Sequence, residues 1–292
     1  MSYAFIAEYA EVFPVRRMCE VLGVSPSGYY DWRKRPRSQR QGANEKLLAA
    51  IRREHQASRQ TYGSPRIHAA LKRQGFDAGR NRIARLMQAH GIVGKTPKRK
   101  RPVTTQRAEG ALVAPNLLAQ DFTASQPNQK WLADITYLDT AEGWLYLALV
   151  LDLFARRIVG WAMADHMRAE LVEDALIMAL GRRLPAPGLL HHSDQGGQYT
   201  SWLVQSLLTA NHIEVSMSGV GNCYDNAPME SFIGTLKTEC ATYQFATRAE
   251  ARRVIFEYIE VWYNNHRLHS SLDYMTPAEF EDQYFYPSKS VR

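Results

Sequence analysis

Three acidic residues stand where the patterning of the chain does not ask for them. Asp134 interrupts the apolar run of "KWLADITYLDT". An isolated carboxylate inside such a strand costs on the order of several kcal/mol or is forced neutral, so it needs a partner unless it lies on an edge facing water. Asp194 closes the apolar run "GLLHHSD" and is followed by Gln195, Gly196 and Gly197. Open α/β sheets put ligand contacts beyond the carboxyl ends of their strands, although an Asp ahead of glycines is also ordinary turn chemistry. Glu230 falls in the first two turns of the helix predicted over "NAPMESFIGTLKTEC". Acids stabilise helix N-termini, but with Asn226 as the expected cap Glu230 lies one position beyond the place of a capping-box acid. Taken jointly, the three make an oxygen-only donor set. Such a set suits a hard divalent cation, Mg²⁺ with Mn²⁺ as a substitute, which keeps its waters and needs neither His nor Cys. Two such ions about 4 Å apart can activate an attacking oxygen and stabilise the leaving one in phosphoryl transfer.

Several elements must bring these acids together. "KWLADITYLDT", "GWLYLALVLDLF" and "RIVGWAMAD" are apolar runs of strand length joined by "AEG" and "ARR", links short enough only for antiparallel hairpins. A helix over "RAELVEDALIMALGRR", a strand in "GLLHHSD", a helix over "TSWLVQSLLTANH", a strand in "IEVSMS" and the helix of Glu230 follow. Three antiparallel strands and then alternating helix and strand predict an α/β fold, a mixed sheet with helices on both faces.

The first 110 residues carry 23 Lys and Arg against 8 Asp and Glu, whereas residues 111–292 carry 13 against 21. A basic segment of this size attracts polyanions, nucleic acid first among them. Within it "FPVRRMCEVLGVSPSGYYDWRKRP" reads as helix, glycine turn, helix, the outline of a helix-turn-helix or of a plain helical hairpin. A second such unit spans "TYGSPRIHAALKRQGFDAGRNRIARLMQAHGI", with Arg80, Asn81, Arg82 and Arg85 on its outer face. No acid lies between Asp77 and Glu109, and the tract holding Lys98, Arg99, Lys100 and Arg101 follows. DNA contact is therefore preferred over a merely solvated face. The expected organisation is a helix-turn-helix segment at 1–40, a second DNA-binding unit at 41–93, a basic linker at 94–120, a catalytic core at 121–285 and a tail at 286–292. Cys19, Cys223 and Cys240 show no paired spacing, and no signal peptide or membrane span is expected.

The order Asp134, Asp194, Glu230, with thirty-five residues between the last two, resembles the DD(35)E signature of retroviral integrases and bacterial transposases. Lys237 follows Glu230 by two helical turns, with only Gly234 between them on that face, as such enzymes place a basic residue that touches the DNA end. "WLADITYL", "HHSDQGGQYTS", "NCYDNAPMESFIGTLKTE", "YNNHRLHSSLDYMTPAEF" and "FPVRRMCEVLGVSPSGYYDWR" are similar to the second-frame (OrfB-type) protein of the insertion-sequence-three family, over nearly the whole chain. The resemblance implies a ribonuclease-H-like core with the three acids as Mg²⁺ ligands. It implies recognition of terminal inverted repeats in double-stranded DNA, strand cleavage by water, and attack of the freed 3′ hydroxyl on target DNA without a covalent protein–DNA intermediate. It further implies a bacterial cytoplasmic, nucleoid-associated protein, acting as a homo-oligomer and with an upstream-frame protein or fusion that supplies a further helix-turn-helix and a zipper.

His192 and Asn226 are expected to support the acids from behind, with Asn226 also capping the helix and Asp225 part of a loop. His266 and His269 lack further ligands nearby in sequence for a zinc site. Trp131, Trp144, Trp161 and Trp202 are expected in the core in preference to base-stacking platforms, and "RAEARRVIFEYIEVWYNNHRLH" as a helix packed on it, with a subunit interface second. The competing function is a DNA-binding regulator whose acidic half only oligomerises. A recombinase with a Tyr or Ser nucleophile would need clustered arginines that the acidic half lacks.

Overall fold

The computed structural model describes residues 2–34, 39–96, 114–219 and 222–287. Its centre is a five-stranded sheet in the order β3-β2-β1-β4-β5, formed by β1 (Lys130–Leu138), β2 (Leu145–Asp152), β3 (Arg157–Ala164), β4 (Leu190–Ser193) and β5 (Glu214–Met217). The two short links do make antiparallel hairpins, β1 on β2 and β2 on β3. The pairings β1–β4 and β4–β5 are parallel, as crossover helices require.

Alternation along the strands sorts side chains onto two faces. Trp131, Ala133, Ala148, Val150 and Val159 pack against α7 (Ala169–Arg183) and α8 (Trp202–Ala210). Leu132, Leu147, Leu149 and Leu151 face the other way, toward Met229, Phe232 and Leu236 of α9 (Ala227–Glu239). Gly160 allows α7 to lie close on β3, since a Cβ there would drive into the carbonyl of Ala175 and into Ala179. The segment expected as one packed helix is helical over α10 (Arg248–Phe256) and then widens into a π-helix, Glu257–Tyr263. Ile255, Tyr258, Ile259 and Trp262 are buried against the same core. The last helix is α11 (Pro277–Phe285), started by a Thr276–Glu279 capping box.

The N-terminal half is helical, as the two units predicted: α1 (Ser2–Glu8), α2 (Val15–Val21), α3 (Pro26–Lys34), α4 (Gln39–Ala57), α5 (Ser64–Arg73) and α6 (Arg80–Ala89). Gly23 makes the left-handed turn between α2 and α3 at φ +63°. Ile6, Met18, Cys19 and Tyr29 form a small core of their own. Leu47, Ile51, Ile67, Leu71, Ile83 and Met87 of α4–α6 instead join the core that continues to α9 and the π-helix.

Two expectations change. Residues 114–120, expected in the linker, fold against the sheet: the Leu117 and Leu118 amides donate to Ser216 Oγ, and Leu118 is buried. Trp144 and Trp202, expected in the core, are 48% and 82% exposed: Trp144 stands just before β2, and Trp202 is the first residue of α8. Lys98, Arg99, Lys100 and Arg101 lie outside the described residues.

Candidate active site

Sheet register places the first two acids. Parallel pairing sets Lys130 beside Leu190, Trp131 beside His191 and Leu132 beside His192. Asp194 follows directly after β4, and the same offset carried two residues beyond the last pair would set it abreast of Asp134, on the same face and about 5 Å away strand to strand. Asp134 shares that face with Leu132 and its cross-strand partner Leu149, the side covered by α9. The amide of Ile135 donates to Asp134 Oδ1 at 2.8 Å, and that of Gly196 to Asp194 Oδ1 at 3.0 Å. Asp194 therefore makes the turn its sequence suggested, with one of its two oxygens.

Asp134 stands in the field of the other two acids. Burial first, then the negative charge of Asp194, and more weakly that of Glu230, push the Asp134 carboxyl up to about 7, against the Ile135 amide and the Lys237 ammonium, which lower it. Glu230 itself is exposed on α9, and burial alone raises it. The Tyr199 hydroxyl is buried without a hydrogen-bond partner and lies in the field of Asp134 and Asp194, so burial and both charges hold it well above the usual phenol range.

Self-repelling carboxylates beside an unpartnered hydroxyl are a donor set that a hard divalent cation relieves. Among the described residues, however, no three His, Cys, Asp or Glu side chains are already gathered closely enough to hold a metal ion. The residues fit a cation carried by one or two carboxylates, its remaining positions left to water and phosphate, better than a closed protein cage.

The loop before α9 sets the height of Glu230. Asn226 occupies the N-cap position but makes no capping bond with its side chain. Its Nδ2 donates instead to the Ala133 carbonyl at 3.1 Å, joining the start of α9 to β1 beside Asp134. Asp225, expected as plain loop, is 2% exposed and accepts from the Gly219 amide and from the side chains of Asn116, Gln120 and Asn222 at 2.9–3.0 Å. Asp225→Ala leaves four donors without their acceptor and is expected to cost about 2 kcal/mol, measured as a lower urea midpoint. His192 is fully buried, with Nδ1 on Ser216 Oγ and Nε2 on Ser218 Oγ, and burial pulls it down to about 4. It fastens β4 to β5.

Lys237 places its Nζ 4.7 Å from the centre of the Tyr137 ring, and a Cβ at Gly234 would meet nothing within 4 Å, so the face from Glu230 to Lys237 is open. On α6, Arg80, Asn81 and Arg85 are exposed. Arg82 is not part of that outer row, because its guanidinium is turned onto Asn44 Oδ1 of α4 at 2.7 and 2.9 Å.

Known families match both halves. The integrase core domain family matches residues 124–223 and, in a second form, 211–277, and an HTH-like domain family matches residues 43–100. An integrase core behind a helix-turn-helix unit defines a DNA-binding polynucleotidyl transferase. The chain is 43% identical over 290 residues to the transposase InsF for insertion sequence IS3A of Escherichia coli K12, covering 97% of this chain and 99% of that one. It is 46% identical over 268 residues to the insertion element IS600 uncharacterized 31 kDa protein of Shigella sonnei, covering 91% and 98%. The chain belongs to the IS3 family of insertion-sequence transposases. Among solved structures, the simian T-cell lymphotropic virus intasome aligns with a TM-score of 0.45 and 17% identity over 73% of this chain and 69% of that one. The HTLV-2 integrase catalytic core in complex with magnesium aligns at 0.42 and 16%, over 55% and 99%. Among the described residues no helix is long and apolar enough to cross a membrane.

Proposed function

We propose that Asp134, Asp194 and Glu230 are the catalytic acids of this transposase and hold Mg²⁺, or Mn²⁺ in its place. What supports this reading is the placement of the acids: β4, parallel neighbour of β1, leads into Asp194, and Asn226 Nδ2 ties the start of the Glu230 helix to the Ala133 carbonyl beside Asp134. When bound, the cation supplies charge neutralisation at the phosphate under attack. Asp134 and Asp194 present their carboxylates from adjacent strands, and Glu230 closes on them from α9, tied down by Asn226. Lys237 meets the phosphate backbone of the DNA end. Arg80, Asn81 and Arg85 of α6 face double-stranded DNA, and Arg82 serves to fix α6 on α4.

The reaction is cleavage at the terminal inverted repeat by water, leaving a 3′ hydroxyl that then attacks a target phosphodiester. No side chain forms a bond to DNA. The protein acts in the bacterial cytoplasm at the nucleoid, as a homo-oligomer on DNA and with an upstream-frame partner or fusion. Incubation of the full chain with an end-labelled duplex of its element terminus should give nicks ending in 3′ hydroxyl with Mg²⁺ or Mn²⁺, and none with EDTA. Binding without nicking in any divalent cation would leave only the regulator.

A further inference from the structure

Two aromatic rings stand uncovered at the hairpin between β1 and β2. Tyr137 is 50% and Trp144 48% exposed, and their rings meet edge to face with centroids 4.8 Å apart. Scattered exposed aromatics need no explanation, but this pair is held in place. The hairpin tip that carries it is pinned by Ala141 N to Phe245 O at 2.8 Å, Arg248 N to Glu142 Oε2 at 2.8 Å and Arg248 Nε to Trp144 O at 3.2 Å. Rings fixed in advance lose little entropy when a flat partner lies on them.

Position and charge indicate which partner. Tyr137 is three residues beyond Asp134 on β1, about 10 Å along the strand, and alternation starts its side chain from the opposite face, alongside its cross-strand partner Tyr146. Lys237 connects the two places: its ammonium lies 4.7 Å from the Tyr137 ring and its charge acts on Asp134. Arg248 adds a second cation at the backbone of Trp144. A polyanion with flat apolar faces matches this surface, because aromatic rings stack on any base and cations follow the backbone.

We propose that Tyr137 and Trp144 form a stacking platform for an unpaired nucleobase of the DNA strand end that enters the acid site. This rests on the reading of that site as acting on DNA. The platform holds the end frayed, so that the scissile phosphate beside it lies free of the duplex.

The test uses the full chain in EDTA with a duplex bearing three unpaired 3′ nucleotides, one of them 2-aminopurine, and a blunt duplex as control. Stacking quenches the 2-aminopurine, and the tailed duplex should bind more tightly than the blunt one. Trp144→Ala and Tyr137→Ala should each weaken binding of the tailed duplex about ten-fold and relieve the quenching, with a smaller loss for the blunt duplex, which must fray before it can stack. Trp144→Phe, which keeps a ring and guards against a collapsed hairpin, should retain most of both. Unaltered quenching and affinity in Trp144→Ala overturns the platform. So does loss of self-association in that variant with quenching intact, which makes the patch a protein interface. A wild-type chain that quenches without nicking in Mg²⁺ fails the proposed function and leaves the platform standing, while one that nicks without quenching does the reverse.

Discussion

Asp134→Asn is expected to lower metal-dependent strand cleavage at least about 10³-fold while leaving DNA binding through α6 unchanged. The amide keeps the size of the side chain and its place opposite Leu149, but removes the negative oxygen that faces the cation. The same substitution should make the metal-free protein more stable. In the folded chain the Asp134 carboxyl sits at about 7, whereas in the unfolded chain it returns to about 4. Below pH 4 both states are protonated and the residue is neutral to stability. Between about pH 4 and pH 7 the folded state holds the extra proton, so stability falls as pH rises, and above 7 the penalty is constant at about 4 kcal/mol at most. Without metal at pH 8, Asp134→Asn should therefore melt as much as about 10 °C above the wild type, with the gap closing by pH 4. Mg²⁺ should raise the melting temperature of the wild type and not that of the variant. A variant that still cleaves, or one that melts below the wild type at pH 8, removes Asp134 from the metal site.

What the sequence disclosed follows from how local each signal is. Strand β1 through helix α9 were legible because apolar period and link length are properties of short windows: "AEG" and "ARR" admit only hairpins. Asp134 was visible as a charge inside an apolar run, and Asp194 as the last residue of another. Glu230 was not legible in that way, since an acid early in a helix is ordinary, and it was singled out by its thirty-five-residue distance from Asp194. Closures between distant segments left no local trace. Asp225 looks like loop until Asn116 and Gln120 are seen to converge on it. Tyr199 looks like one more aromatic after a glycine pair until its hydroxyl is found buried in the field of two carboxylates. Trp144 and Trp202 misled because residue type speaks to average burial, and element ends break that average.

Arg267→Met is expected to destabilise the fold by about 3–5 kcal/mol, lowering the melting temperature by about 10 °C. Arg267 and Glu239 are both almost wholly buried, and the guanidinium clasps both carboxylate oxygens at 2.8–3.0 Å. Its own protonated form is thereby held firmly in place. Glu239 also accepts from Tyr258 OH at 3.0 Å, and its carbonyl accepts from Lys95 Nζ at 2.8 Å. Removal of the arginine strands a buried carboxylate, which costs more than the pair contributes while intact. Glu239 is the last residue of α9, the helix that carries Glu230 and Lys237, so the loss should also reach the active site. Nicking measured well below the new melting temperature should fall several-fold in kcat, with DNA binding little changed. The double variant Glu239→Gln, Arg267→Met removes the stranded charge and should recover most of the lost stability in calorimetry. Recovery of stability without recovery of kcat would show that the clasp positions α9 as well as holding the fold, because Lys95 then fastens that end of the helix without the ion pair.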